Sequence, residues 1–227
     1  MKATYTFDQI AHFRTLAEQK GVSPERLQEH YALGVISDVL EIPDPKMITP
    51  EQRDAARCAY GLPPLTPPAL EPVGTVTVQA TTEPFIARDH LVKDTSQKAA
   101  VKIAWISSSF EGWFLGETKG PAPEARIRYA QLTRSELDGP ILKELGNTAE
   151  TTLAAIHGLM KLQPNGESGA LLTNGYVNIF YVRDINGVLR AVCVGWYALG
   201  GGWGVYAFSV AGPGGWVGGG RVFSRNS

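Results

Sequence analysis

Between Gly195 and Gly220, 11 of 26 residues are glycine, yet the same stretch carries Trp196, Trp203 and Trp216. A flexible linker has no use for three indoles, whose burial stabilises only a packed structure. The segment therefore reads as folded β structure and not as a low-complexity tail. GWGVYAFSV (202–210) alternates, with Trp203, Val205, Ala207 and Ser209 on one side and Gly204, Tyr206, Phe208 and Val210 on the other, and RVFSR (221–225) is a second strand-like run. On this reading Trp196, Trp203, Trp216 and Phe223 are fixed packing anchors. The small residues between them form a surface where side-chain identity is free to differ.

Upstream, YVNIFYVRD (176–184) and VLRAVCVGW (188–196) flank Asn186-Gly187, and Asn-Gly between two apolar runs predicts a β-hairpin. Two helices are predicted before it. One begins near Ser135, includes Ile141, Leu142 and Leu145, and stops at Gly146; a longer one runs from Thr148 to Lys161, capped by Asn147 or Thr148. VKIAWIS (101–107) and ARIRYAQL (125–132) alternate as strands, VGTVTVQA (73–80) fits an edge strand, and RDHLVKDTSQK (88–98) has no clear period. The order of elements is α+β, with the first and last strands expected to pair antiparallel.

The first 61 residues differ in character. Phe7, Ile10, Phe13, Leu16 and Ala17 repeat at helical spacing up to Gly21, and Ser23-Pro24-Glu25 and Thr49-Pro50-Glu51 are two further helix starts. A small all-α unit at 1–61 is expected, suited to docking or oligomerisation; helix-turn-helix DNA binding is the lesser reading. LPPLTPPALEP (62–72) holds five prolines and predicts an extended interdomain linker, leaving 73–227 as the α+β domain.

At 44% hydrophobic and 19% charged the chain suits a globular protein. A net charge of −1 gives no general attraction to phosphate backbones or anionic lipid, so neither nucleic acid nor a membrane is expected as partner. Asp8, Gln9, His12 and Arg14 interrupt any apolar leader and no run of 18 apolar residues occurs, which makes the cytoplasm the default location. Cys58 and Cys193 read as two free thiols.

Catalytic and metal signatures are weak. His12, His30, His90 and His157 stand apart from one another and from both cysteines, with no HExxH, CxxC or GxSxG. GGGWG (200–204) and GGWVGGG (214–220) lack the lysine and the strand-to-helix setting of a phosphate loop. Gln163-Pro164-Asn165 is similar to a calcium motif of sugar-binding lectins and Asp184-Ile185-Asn186-Gly187 to a calcium loop, but the first lacks its partner motif and the second is explained by the turn. No cofactor and no metal are expected.

The succession of strand, two helices, hairpin and Trp-punctuated strands resembles the C-type-lectin fold, in which the first and last strands pair. More narrowly, LLTNGYVNIFYVRDINGVLRAV (171–192), followed by GW, GWGVYAFSV, P-x-x-W and RVFSRN, resembles the variable proteins of diversity-generating retroelements over residues 100–227. RVFSRN replaces the Gly-Phe-Arg-type ending usual in that family. The resemblance implies that adenines of AAC or AAT codons near the 3′ end of the gene are rewritten, which never yields Lys, Glu, Gln, Met or Trp. The 195 residues before Trp196 contain 9 Lys, 14 Glu, 8 Gln and 3 Met; the 32 from Trp196 onward contain none. A Gly-rich buried β segment also excludes long polar side chains, so composition alone does not separate the two explanations.

The resulting expectation is a non-enzymatic binding protein that meets an unknown protein or surface ligand through Tyr197, Ala198, Leu199, Gly204, Ala211, Gly212, Gly214, Gly215, Val217, Gly218, Gly220 and Arg221. One alternative is a structural or oligomerisation module whose glycines pack on another backbone or subunit. The other is an enzyme related to the formylglycine-generating fold, for which Cys58 and Cys193 offer no cysteine pair.

Overall fold

The computed structural model of the chain describes residues 15–32, 48–59, 61, 62, 65 and 67–226. Two compact units divide at Pro67/Pro68. In the first, α1 (Pro24–Ala32) and α2 (Pro50–Ala59) follow the two predicted starts. Ser23 Oγ accepts the Arg26 amide at 3.2 Å, and Thr49 and Gln52 exchange reciprocal side-chain-to-amide bonds, a capping box. Phe7, Ile10 and Phe13 of the predicted first helix lie outside the described residues, as does His12.

The second unit is α+β. Its main sheet is mostly antiparallel and has seven strands in the order β1-β5-β9-β6-β7-β8-β3. These are β1 (Leu70–Val78), β3 (Ile103–Ile106), β5 (Ala125–Leu132), β6 (Asn178–Arg183), β7 (Leu189–Tyr197), β8 (Gly202–Ser209) and β9 (Arg221–Arg225); β2 (Phe85–Ile86) and β4 (Thr118–Lys119) pair separately. Four helices accompany them: α3 (Ala87–His90), α4 (Ser108–Phe114), α5 (Asp138–Leu145) and α6 (Leu153–Lys161).

Several expectations are corrected. The last strand β9 does not pair with the first strand of the unit; it lies antiparallel to β5 and parallel to β6, while β1 pairs with β5 at the edge. VKIAWIS joins the far edge, parallel to β8, and a register irregularity between Ile103 and Trp105 turns Trp105 out to solvent at 54% exposure. The linker expected over 62–72 overlaps β1, where Leu70, Glu71 and Pro72 pair with Leu132, Gln131 and Ala130, and Pro72 is tolerated at an edge beside a bulge. The second predicted helix starts later, at Leu153. Gly146–Thr148 forms a 3-10 turn, Glu150 bridges to Tyr181, and Thr152 Oγ1 caps the helix by accepting the Ala155 amide. Helix α4, capped by Ser107 Oγ on the Phe110 amide, was not predicted.

The two sheet faces carry separate cores. On one, Phe180, Val192, Val194, Trp203, Val205 and Phe223 pack with Phe110 and Phe114 of α4 and Ile156, Leu159 and Met160 of α6. On the other, Ile179, Tyr181, Ala191 and Val222 pack with Ile141 and Leu145 of α5. Over β8 the second face keeps side chains in contact with solvent, with Phe208 47% exposed.

Candidate functional site

The C-terminal stretch is built around its rings. Trp203 is fully buried and donates its indole N–H to the Gln163 carbonyl at 3.1 Å. Burial of a ring that size contributes roughly 4–6 kcal/mol of hydrophobic free energy before entropy is counted. Trp196 meets Trp203 edge-on at 5.4 Å and lies against Gly166, whose φ of +74° and lack of Cβ let the backbone rest on the indole. Phe223 stacks between Phe180 at 4.5 Å and Tyr129 at 5.6 Å. Trp216, partly buried against the second core, donates to Asp138 Oδ1 at 2.7 Å.

These contacts also account for the two calcium-like sequences. The Gln163 amide donates to the Glu167 and Leu171 carbonyls and accepts the Leu171 amide, so it clamps its own loop. Asp184 accepts the Asn186 and Val188 amides and the Arg190 guanidinium at 2.9 Å. Burial opposes its charge, but Arg190 and those amides outweigh burial and hold the carboxyl below the usual aspartate range. A guanidinium thus occupies the place a cation would take.

The twelve candidate contact positions fall into two groups by environment. Tyr197, Ala198 and Leu199, the last completely exposed, lie at one end of β7 and β8; Ala211 and Gly214 lie past the other end, and Val217 is 69% exposed on the returning segment. The other six are held by close neighbours, although only Gly204 and Gly220 are buried and Gly215 is exposed. A Cβ on Gly218 would sit 3.0 Å from the Arg134 backbone, on Gly215 3.1 Å from the Glu136 carbonyl, on Gly220 3.2 Å from that of Val177, and on Gly212 3.0 Å from that of Ser209. Gly204 leaves room for the rings of Tyr197 and Tyr206. Arg221 donates from Nη1 to the Gly169 and Ala170 carbonyls and lies over Tyr129. Glycine does pack closely on backbone here, and that backbone is the chain's own.

Joining the two ends is a row of rings of which the sequence singled out Tyr197 as a contact and Trp216 as an anchor, but not Tyr206 or Phe208. Tyr197 and Tyr206 share a hydroxyl hydrogen bond of 2.8 Å, Tyr206 stacks with Phe208 at 6.5 Å, and Phe208 meets Trp216 edge-on at 5.8 Å. Tyr197 and Phe208 are 46% and 47% exposed. Trp105, aligned with Gly204 across the β3–β8 pair, extends the aromatic face, with the Lys93 ammonium 5.4 Å above its ring. The period-2 alternation of GWGVYAFSV was the available signal, since it set Tyr206 and Phe208 opposite Trp203. Asp138, which ties Trp216 down, had no signal beyond standing at a helix start.

Elsewhere burial mutes one thiol and one imidazole. Burial pushes the Cys193 thiol up to about 12, which keeps it protonated, and Cys58 is exposed in the other unit. His157 lies 4.9 Å from His90 in a ring cluster with Phe85, and burial, with smaller contributions from the charges of His90 and Lys161, lowers it to about 4. Among the described residues no three potential ligands gather around a metal position, and no helix is long and apolar enough to cross a membrane. No family model, curated protein or solved structure matches the chain.

Proposed function

We propose that residues 68–227 form a C-type-lectin-like domain of the kind found in retroelement-diversified variable proteins, and that it is a non-enzymatic binding protein whose contact surface is the C-terminal face. The antiparallel pairing of β5 and β9 around two intervening helices and the Asn-Gly hairpin support the fold. One observation carries the function. Within a single 32-residue stretch Trp203 and Phe223 are inside at 0% exposure and Trp196 and Trp216 are half-buried against the two cores, while Leu199 at 107% and Val217 at 69% point outward. Such a segment tolerates exchange at the outward positions because its stability resides in the inward ones.

Tyr197, Ala198, Leu199, Ala211, Gly214 and Val217 form the exchangeable set on this reading. Gly204, Gly212, Gly215, Gly218, Gly220 and Arg221 belong to the frame, because a side chain added or removed there meets close backbone, a ring or a loop carbonyl. The raised pKa of buried Cys193 argues against its use as a thiolate nucleophile. Sequencing the gene from several isolates tests the proposal. Differences concentrated in the codons of the six outward positions, beside a near-copy template and a reverse-transcriptase gene, support it; differences spread evenly along the gene refute it.

A further inference from the structure

A cavity of about 290 Å³ opens where β8 ends, walled by Phe208, Trp216 and the backbone of Gly212 to Gly215, and lined also by Asp138. Asp138 is only 4% exposed. Its Oδ1 accepts two neutral donors, Tyr181 Oη and Trp216 Nε1, both at 2.7 Å. No hydrogen bond reaches its Oδ2 among the described residues. No cation among those residues lies within ion-pair distance. Asp184, an equally buried aspartate, has a guanidinium at 2.9 Å and two amides on its carboxylate. A buried carboxylate without a counter-charge is costly, and a place in the first turn of α5 offsets only part of that cost.

We propose that this cavity binds a primary ammonium group on a short alkyl chain, with Asp138 as its counter-charge and Phe208 and Trp216 as its walls. The aromatic walls favour an organic cation over a hydrated metal ion. A guanidinium gains its bidentate fork only where two carboxylate oxygens are free; with Oδ1 already taken by Tyr181 and Trp216 it loses that advantage over an ammonium, which uses one. The volume lies at the small end of ligand pockets and suits a side chain, not a nucleotide. This site goes beyond the proposed function, since it requires no exchange at any position.

The test is a titration of the full chain with n-butylammonium, following the Trp216 indole N–H resonance. The expected result is a saturable shift, weakened at least tenfold by Asp138→Asn, which keeps the acceptor oxygen and removes the charge. N-methylguanidinium is expected to bind several-fold more weakly and n-butanol not at all. Should Asp138→Asn unfold the domain, Phe208→Leu and added salt replace it; each is expected to weaken binding several-fold, and no change with either overturns the site. A lysine blocked at both backbone ends that binds more tightly than butylammonium identifies a polypeptide ligand, and equal binding a free amine; either supports the site. Equal shifts with butanol and butylammonium, tighter binding of the guanidinium, unchanged binding by a folded Asp138→Asn variant, or no saturable response would overturn it.

Discussion

Trp216 and Asp138, 78 residues apart in sequence, are joined by a hydrogen bond of 2.7 Å from indole N–H to carboxylate. The bond fixes the loop between β8 and β9 to the start of α5, and the paired backbone bonds between Trp216 and Glu136 at 2.8 and 3.0 Å reinforce it. Trp216→Phe keeps most of the ring and removes the donor from a buried charge. It is expected to destabilise the second unit by about 1–3 kcal/mol, read by chemical denaturation, and to make the 210–220 segment more sensitive to protease.

Gly218 and Gly214 lie four residues apart in one loop and should respond oppositely. Gly218→Ala drives a Cβ to within 3.0 Å of the Arg134 backbone and is expected to cost about 1–3 kcal/mol, whereas Gly214→Ala meets nothing within 4 Å and should stay within about 0.5 kcal/mol of the parent. Paired urea melts of the two variants read the difference.

His157 makes stability depend on acid. Its folded pKa, about 4, lies below the ordinary value of 6.5, so folding favours the neutral ring. The stabilisation is fully present above pH 6.5 and is lost progressively as pH falls from 6.5 toward 4, up to about 3 kcal/mol in all. His157→Phe, which does not titrate, should flatten this part of a stability-against-pH curve. An unchanged slope would place the titration elsewhere.

The thiols should separate by rate. Cys58 is exposed, while Cys193 is buried in β7 with its pKa raised to about 12. A disulfide reagent at pH 8 is expected to modify one thiol rapidly and the second only on unfolding.

Local signals carried much of the architecture. Asn186-Gly187 specified the hairpin, Thr49-Pro50 and Ser23-Pro24 set their helix starts, and alternation in 202–210 separated Trp203 from Tyr206 and Phe208. Pairing between distant strands was not legible, because nothing local tells β9 that its neighbours are β5 and β6. The start of α6 was misplaced for a similar reason: Thr148 and Thr152 are both good caps, and the tertiary bridge from Glu150 to Tyr181 interrupts the helical path between them. At the candidate face, the sequence separated anchors from small residues. It could not tell an open glycine such as Gly214 from a packed one such as Gly218, since that depends on how close Arg134 comes.

The central claim is that inward rings hold a frame on which outward residues are interchangeable. A saturation library over residues 196–226, sorted for stably folded protein and sequenced, tests it most directly. Broad tolerance is expected at Tyr197, Ala198, Leu199, Ala211, Gly214 and Val217, with depletion of nearly every substitution at Trp203, Trp216 and Phe223. Equal tolerance at both sets, or depletion at Leu199 and Val217 as strong as at Trp203, would contradict the account.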